Sequence, residues 1–176
     1  IRIYNATLDF SHEQFFKDLE KNELQVMYPI NEYFCYGLKN DDNDDSKLKN
    51  FLNKMIQETK KGSDYRNAIH SFAFGNEGNQ YATAHSYGRY QNYPNISWAT
   101  RLVEVIDIFV DLEKENNIDS KIDIVIPLSY AGGQTHNQFK MLSNLVDDKP
   151  WKDRFVLGIN AFNDAQTIIN EMDYIV

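Results

Sequence analysis

Residues 122–128, Ile-Asp-Ile-Val-Ile-Pro-Leu, constrain the fold more than any other stretch of the chain. Only Asp123 and Pro127 interrupt an apolar run rich in β-branched residues, and such a run suits a strand buried within a parallel sheet. The sequence then turns polar and glycine-rich through Ser129-Tyr-Ala-Gly-Gly-Gln-Thr-His136. Thr135 and Gln138 have the spacing of a capping box, which predicts a helix starting at Thr135. A strand, a Gly-Gly loop and a helix start together make a unit able to hold a small polar ligand. The first N–H groups of a helix lack intrahelical partners and point outward, where they can donate to that ligand.

The same alternation runs through the rest of the chain. Residues 2–10 read as a first strand. Ser11 with Gln14 reads as the capping box of a helix whose face carries Phe15, Phe16, Leu19 and Val26, and Pro29 is expected to stop it. Residues 33–38 read as a short aromatic strand closed by Gly37. A helix is expected over 47–60 with Leu48, Phe51, Leu52 and Met55 as its buried stripe and Gly62 as its end. The Asn/Asp run at 40–45 lacks the glycine and distal glutamate of an EF-hand loop, so it reads as a solvated lead into that helix.

Residues 67–74 alternate weakly, as a third strand would. The longest helix opens at Ser97, with Trp98, Leu102, Val105, Phe109 and Leu112 stepping by four and three. Arg101, Glu104, Asp111 and Glu115 are expected on its wet side. After 122–128 come a helix carrying Phe139, Leu142, Leu145 and Val146, and a strand over 154–162. A helix opened by Asn163 and a last strand at 174–176 follow. Strands and helices in strict alternation predict a three-layer α/β domain, its mostly parallel sheet covered by helices, spanning residues 1–176 as one domain. A length of 176 residues supports one full core without staples. The ends, Ile1 without a Met and 174–176 within a strand, predict a processed product or a piece excised from a longer chain.

Charge and composition exclude several functions. A net charge of −8 with no basic run argues against nucleic acid as a partner. No apolar run approaches the length of a membrane span, and no secretory leader is visible. Cys35 is the only cysteine, so no intrachain disulfide can form and a cysteine-ligated metal is not expected; a reducing, cytoplasmic location fits. No metal site is expected from the histidines either, because none pairs with another at helical spacing.

Ligands of parallel sheets collect where strands end and helices begin. Two such loops, 129–137 and 160–164, would share one crevice if their strands are neighbours. Ser129, Tyr130, Gly132, Gly133, Gln134, Thr135, Asn160 and Asn163 are therefore the candidate ligand-binding residues. His136 and Asp164 are the candidate catalytic pair, since imidazole titrates near neutrality and suits acid–base work. Gly132-Gly133 serves either a close backbone approach to a ligand or a turn with positive φ, and the turn is the simpler account. Neither the dinucleotide-binding glycine spacing nor a phosphate-loop Gly-Lys-Ser/Thr occurs, and Ser129 lies in no Gly-x-Ser-x-Gly elbow. The order of apolar strand, Pro127, helix, apolar strand and Asn160 resembles the late part of partition-type ATPases. The phosphate loop those enzymes require is absent from these residues, so the likeness guides no functional expectation.

His12 reads as a surface residue and His70 as packed or at a strand edge. His85, Tyr87 and Arg89 form a secondary candidate group in the tyrosine-rich, glycine-punctuated segment 75–94, where Arg89 can clamp a carboxylate or phosphate. The expected function is binding or turnover of a small polar ligand, a nucleotide or sugar derivative, at the carboxyl edge of the sheet. The alternative is a non-catalytic domain of a larger protein that contacts a protein partner through 75–94, because tyrosine suits interfaces.

Overall fold

Four apolar segments pair side by side at the centre of the chain. The computed structural model describes residues 1–3, 11–30, 45–60, 65–76, 98–129 and 133–160. In chain order the elements are α1 (Glu13–Lys21), β1 (Val26–Ile30), α2 (Ser46–Lys60), β2 (Ile69–Phe74), α3 (Trp98–Glu115), β3 (Asp123–Ser129), α4 (Gly133–Val146) and β4 (Phe155–Asn160). Short 3-10 turns, Tyr65–Ala68 and Lys152–Arg154, lead into β2 and β4. The strands lie in the order β1-β2-β3-β4 and every pair is parallel. Arg2 adds a parallel bridge to Met27 on β1.

Parallel crossovers are right-handed almost without exception, so three that step in one direction place α2, α3 and α4 over one face of the sheet. That face carries Tyr28, Ile30, Phe72, Phe74, Ile124, Ile126 and Leu128, all in the hydrophobic core. Phe109 of α3 stands edge-on to Phe72 at 5.0 Å and to Phe74 at 5.2 Å between ring centroids. On the other face Ser71, Ala73 and Val125 are buried as well. A parallel sheet buried on both faces is the middle of a three-layer α/β domain, as the apolar run at 122–128 requires.

The first helix is shorter than its apolar spacing implies. It ends at Lys21, and Val26–Ile30, Pro29 included, is a strand instead of the helix's last turn. The cause is a left-handed residue, Glu23, with φ 53°. Leu24 N donates to Leu19 O at 2.9 Å and Glu23 N to Glu20 O at 3.0 Å, the paired bonds of a Schellman cap. Ser11 accepts a bond from Glu13 N at 3.3 Å, but the N-cap position is His12, and Gln14 bonds Asp18 rather than turning back. α3 ends the same way, with Asn117 at φ 55°, Asn117 N on Lys114 O and Ile118 N on Glu113 O.

Arg101 is the second departure. Expected on the wet side of α3, it is only 2% exposed, because Asp45 at the entry to α2 meets it from across the interface. Arg101 Nη2 lies 2.5 Å from Asp45 Oδ1 and Nη1 lies 3.1 Å from Glu104 Oε2. Burial alone would lower the guanidinium's pKa, but bonds and charge from Asp45 and then Glu104 outweigh it and raise the value. Asp45 thus closes a helix–helix contact rather than facing water.

Two polar ties fix α3 against the start of β4. Asp107 accepts from Lys149 Nζ at 2.6 Å and from Trp151 Nε1 at 2.8 Å. Arg154 gives Nε to Ile122 O at 2.8 Å and Nη1 to Glu113 Oε2 at 2.7 Å. The expected elements at 4–10, 33–38 and 161–176 lie outside the described residues.

Candidate functional site at the carboxyl edge

β3 and β4 are neighbours and pair through six residues, ending with Ser129 opposite Asn160. Their carboxyl ends therefore leave the sheet at one edge, side by side. α4 begins at Gly133, with three residues between it and the end of β3. Gly133, Gln134, Thr135 and His136 occupy its first turn, so Thr135 sits inside the helix and does not cap it from outside. The N–H groups of that turn have no partner within the helix, and its dipole adds a partial positive charge there.

Ser129 is half-buried as the last residue of β3, and Asn160 is the last of β4. Among the expected site residues these two are paired directly, with Gly133–His136 following on the next element. Tyr130, Gly132, Asn163, Asp164 and the group His85, Tyr87 and Arg89 lie outside the described residues.

The same edge carries two further groups, only one of them signalled in the sequence. Gly75, with φ 72°, turns the chain out of β2, and its N–H donates to Ile30 O at 3.3 Å. Asn76 then accepts a 2.7 Å bond from Arg2 Nη2 at its Oδ1. A guanidinium thus stands at the end of β2, two strands from Asn160. The Gly75-Asn76 turn was visible as the start of the polar segment, whereas Arg2 arrives only through its bridge to Met27. The β2–β3 ladder stops at Ala73–Val125, and Pro127 beyond it has no N–H to prolong the pairing.

His12 differs from expectation. His12 is half-buried at the head of α1, its Nδ1 2.5 Å from the Tyr28 hydroxyl, with its ring against Phe16 and Tyr28. Burial first, and the charge of Glu58 second, hold the Tyr28 phenol far above the ordinary tyrosine range, so it stays a neutral hydrogen-bonding group. Of the two places expected for His70, packed or at a strand edge, the packed one fails: it is exposed, as the second residue of β2.

Among the described residues no group of three His, Cys, Asp or Glu is placed to hold a metal ion. No described helix is long and apolar enough to cross a membrane. Comparison with protein-family models, with curated proteins and with solved structures finds no match to this chain.

Proposed function

We propose that the chain binds or turns over a small polar ligand, of the nucleotide or sugar-derivative class, at the carboxyl edge of its sheet. The observation that carries this reading is the Ser129–Asn160 pair, two polar residues closing neighbouring parallel strands just before the first turn of α4. Parallel α/β sheets collect ligands at this edge because every strand-to-helix loop opens there. In this reading the Ser129 hydroxyl and the Asn160 amide orient the ligand, and the α4 N–H groups donate to its acceptors. His136 and Asp164 would move a proton between them and the ligand. This reading needs Asp164 to come beside the helix start, where its charge would disfavour a bare phosphate and leave a polar or zwitterionic ligand the better fit.

The test is a thermal-shift screen of the chain against nucleotides, sugars and their phosphates. A specific ligand at 100 times its dissociation constant adds about 2.7 kcal/mol. At about 2–4 °C per kcal/mol for a chain of this size, the melting point should rise by roughly 5–10 °C. Ser129→Ala and Asn160→Ala should each reduce the shift while leaving the unliganded melting point within a few degrees. A shift that neither variant changes would place the ligand elsewhere. A screen in which nothing shifts would favour the partner-binding alternative through 75–94.

A further inference from the structure

The opposite, amino edge of the sheet holds a groove of about 460 Å³ lined by Gln25, Asn67, Ile69, His70, Lys121 and Ile122. These residues precede or begin β1, β2 and β3, so the groove runs across the starts of three strands. We infer that it is a second binding site, for a small oxyanion such as a carboxylate or phosphate.

The backbone singles out His70. Val26 pairs with Ile69 and Met27 with Ser71, so His70 is an extra residue on β2 with no partner on β1. Counting back from Phe72 and Phe74, unbroken alternation would turn residue 70 toward the core and residue 69 away from it. The bulge reverses both. Ile69 is 3% exposed and belongs to the core, whereas His70 is exposed at the groove. Re-aiming one side chain is a recurrent use of a β-bulge, and the extra residue's own backbone is left outside the regular ladder.

The chemistry of the lining is one-sided. Lys121 and His70 supply donors that can carry positive charge, and none of the six lining residues is acidic. Among the described residues neither the His70 ring nor the Lys121 ammonium has a hydrogen-bond or ion-pair partner, although the chain as a whole carries a net charge of −8. Asp119 and Asp123 flank Lys121 in sequence but do not line the groove. Gln25 is held in place by a 3.0 Å bond from Nε2 to Asn67 O, which stiffens the wall facing them. Ile69 and Ile122 give the floor an apolar part. Two basic groups over such a floor, with a fixed amide beside them, match an oxyanion on a short organic skeleton better than a metal or a base.

The experiment is an amide-resolved NMR titration of the whole chain with potassium phosphate and, separately, sodium acetate, each against potassium or sodium chloride at equal ionic strength. Saturable shifts should appear at 67–70 and 121–122 with at least one of the two anions. Losing one charge-assisted contact weakens such binding roughly tenfold, so Lys121→Ala and His70→Ala should each show that loss. Both side chains are exposed, and retained spectral dispersion will confirm folding; Lys121→Gln is the conservative second variant. Shifts equal to those with chloride, or unchanged in both variants, overturn the proposal. Shifts confined to 129–136 and 160 overturn it too, since they report the carboxyl edge instead.

Discussion

Replacing Phe109 by Ala tests the packing of α3 on the sheet. The Phe109 ring is fully buried and meets Phe72 and Phe74 edge-on at 5.0 and 5.2 Å. Truncating a buried Phe to Ala ordinarily costs about 3–5 kcal/mol, the lost transfer energy plus the cavity left behind. Two aromatic pairs add roughly 0.5–1.5 kcal/mol each beyond area, and strand backbone on one side limits collapse. The loss should therefore fall in the upper half of the range, about 4–5 kcal/mol. In urea, with a slope of about 2 kcal/mol per molar, the midpoint should drop by roughly 2 M at unchanged slope. Phe109→Leu keeps most of the volume and loses only the ring-edge contacts, so it should cost about 1–1.5 kcal/mol. A loss under about 1 kcal/mol for Ala, or equal losses for Ala and Leu, would refute the placement of α3 as the main cover of this face.

Glu23→Gly should stabilise the chain by about 0.5–1 kcal/mol in denaturant titration, because glycine adopts the left-handed cap at φ 53° without the Cβ penalty. Gly158→Ala should cost about 1–3 kcal/mol by the same assay, since the added Cβ would stand 2.9 Å from Val125 Cγ1 and 3.4 Å from Pro127 Cα. Tyr28 predicts an alkaline instability. Its folded pKa is raised, so its contribution is complete below the unfolded phenol value near 10.0 and falls above it, by about 1.4 kcal/mol per pH unit. Stability profiles of wild type and Tyr28→Phe should diverge only above pH 10, and parallel curves there would contradict the assignment.

Most of the architecture was legible because long periodic segments leave few choices. The helix expected over 47–60 is found as Ser46–Lys60, and the strand expected over 122–128 as Asp123–Ser129. The β1 strand was hidden, because Val26 continues the apolar spacing of α1 and the cap that separates them uses glutamate where glycine would have marked it. Arg101 was misplaced for a different reason: its partner, Asp45, lies on another helix, and periodicity carries no information on tertiary pairing. At the carboxyl edge, alternation placed Ser129 and Asn160 at strand ends, but that the two strands are neighbours is known only from their pairing. Arg2 beside Asn76 could not be foreseen, since it depends on a bridge between the first residues and β1. The bulge that exposes His70 was equally silent, because one extra residue leaves no mark in a six-residue strand.

The unbroken strand order bears on how the chain assembles during synthesis. Among the described strands each new one docks on the one made just before it, so no gap between β1 and β4 has to be held open for a later segment to fill. From β1 to β3 each strand leaves an open edge toward the next, and the helix after it arrives together with the strand that closes that edge. Closure is cheapest for β3 and β4, which have the fewest residues between them and the longest ladder, because closure entropy rises with the logarithm of loop length. A ribosome-stalled chain ending before β4 should thus expose β3 to solvent and chaperones, and release of one more strand–helix unit would seal it.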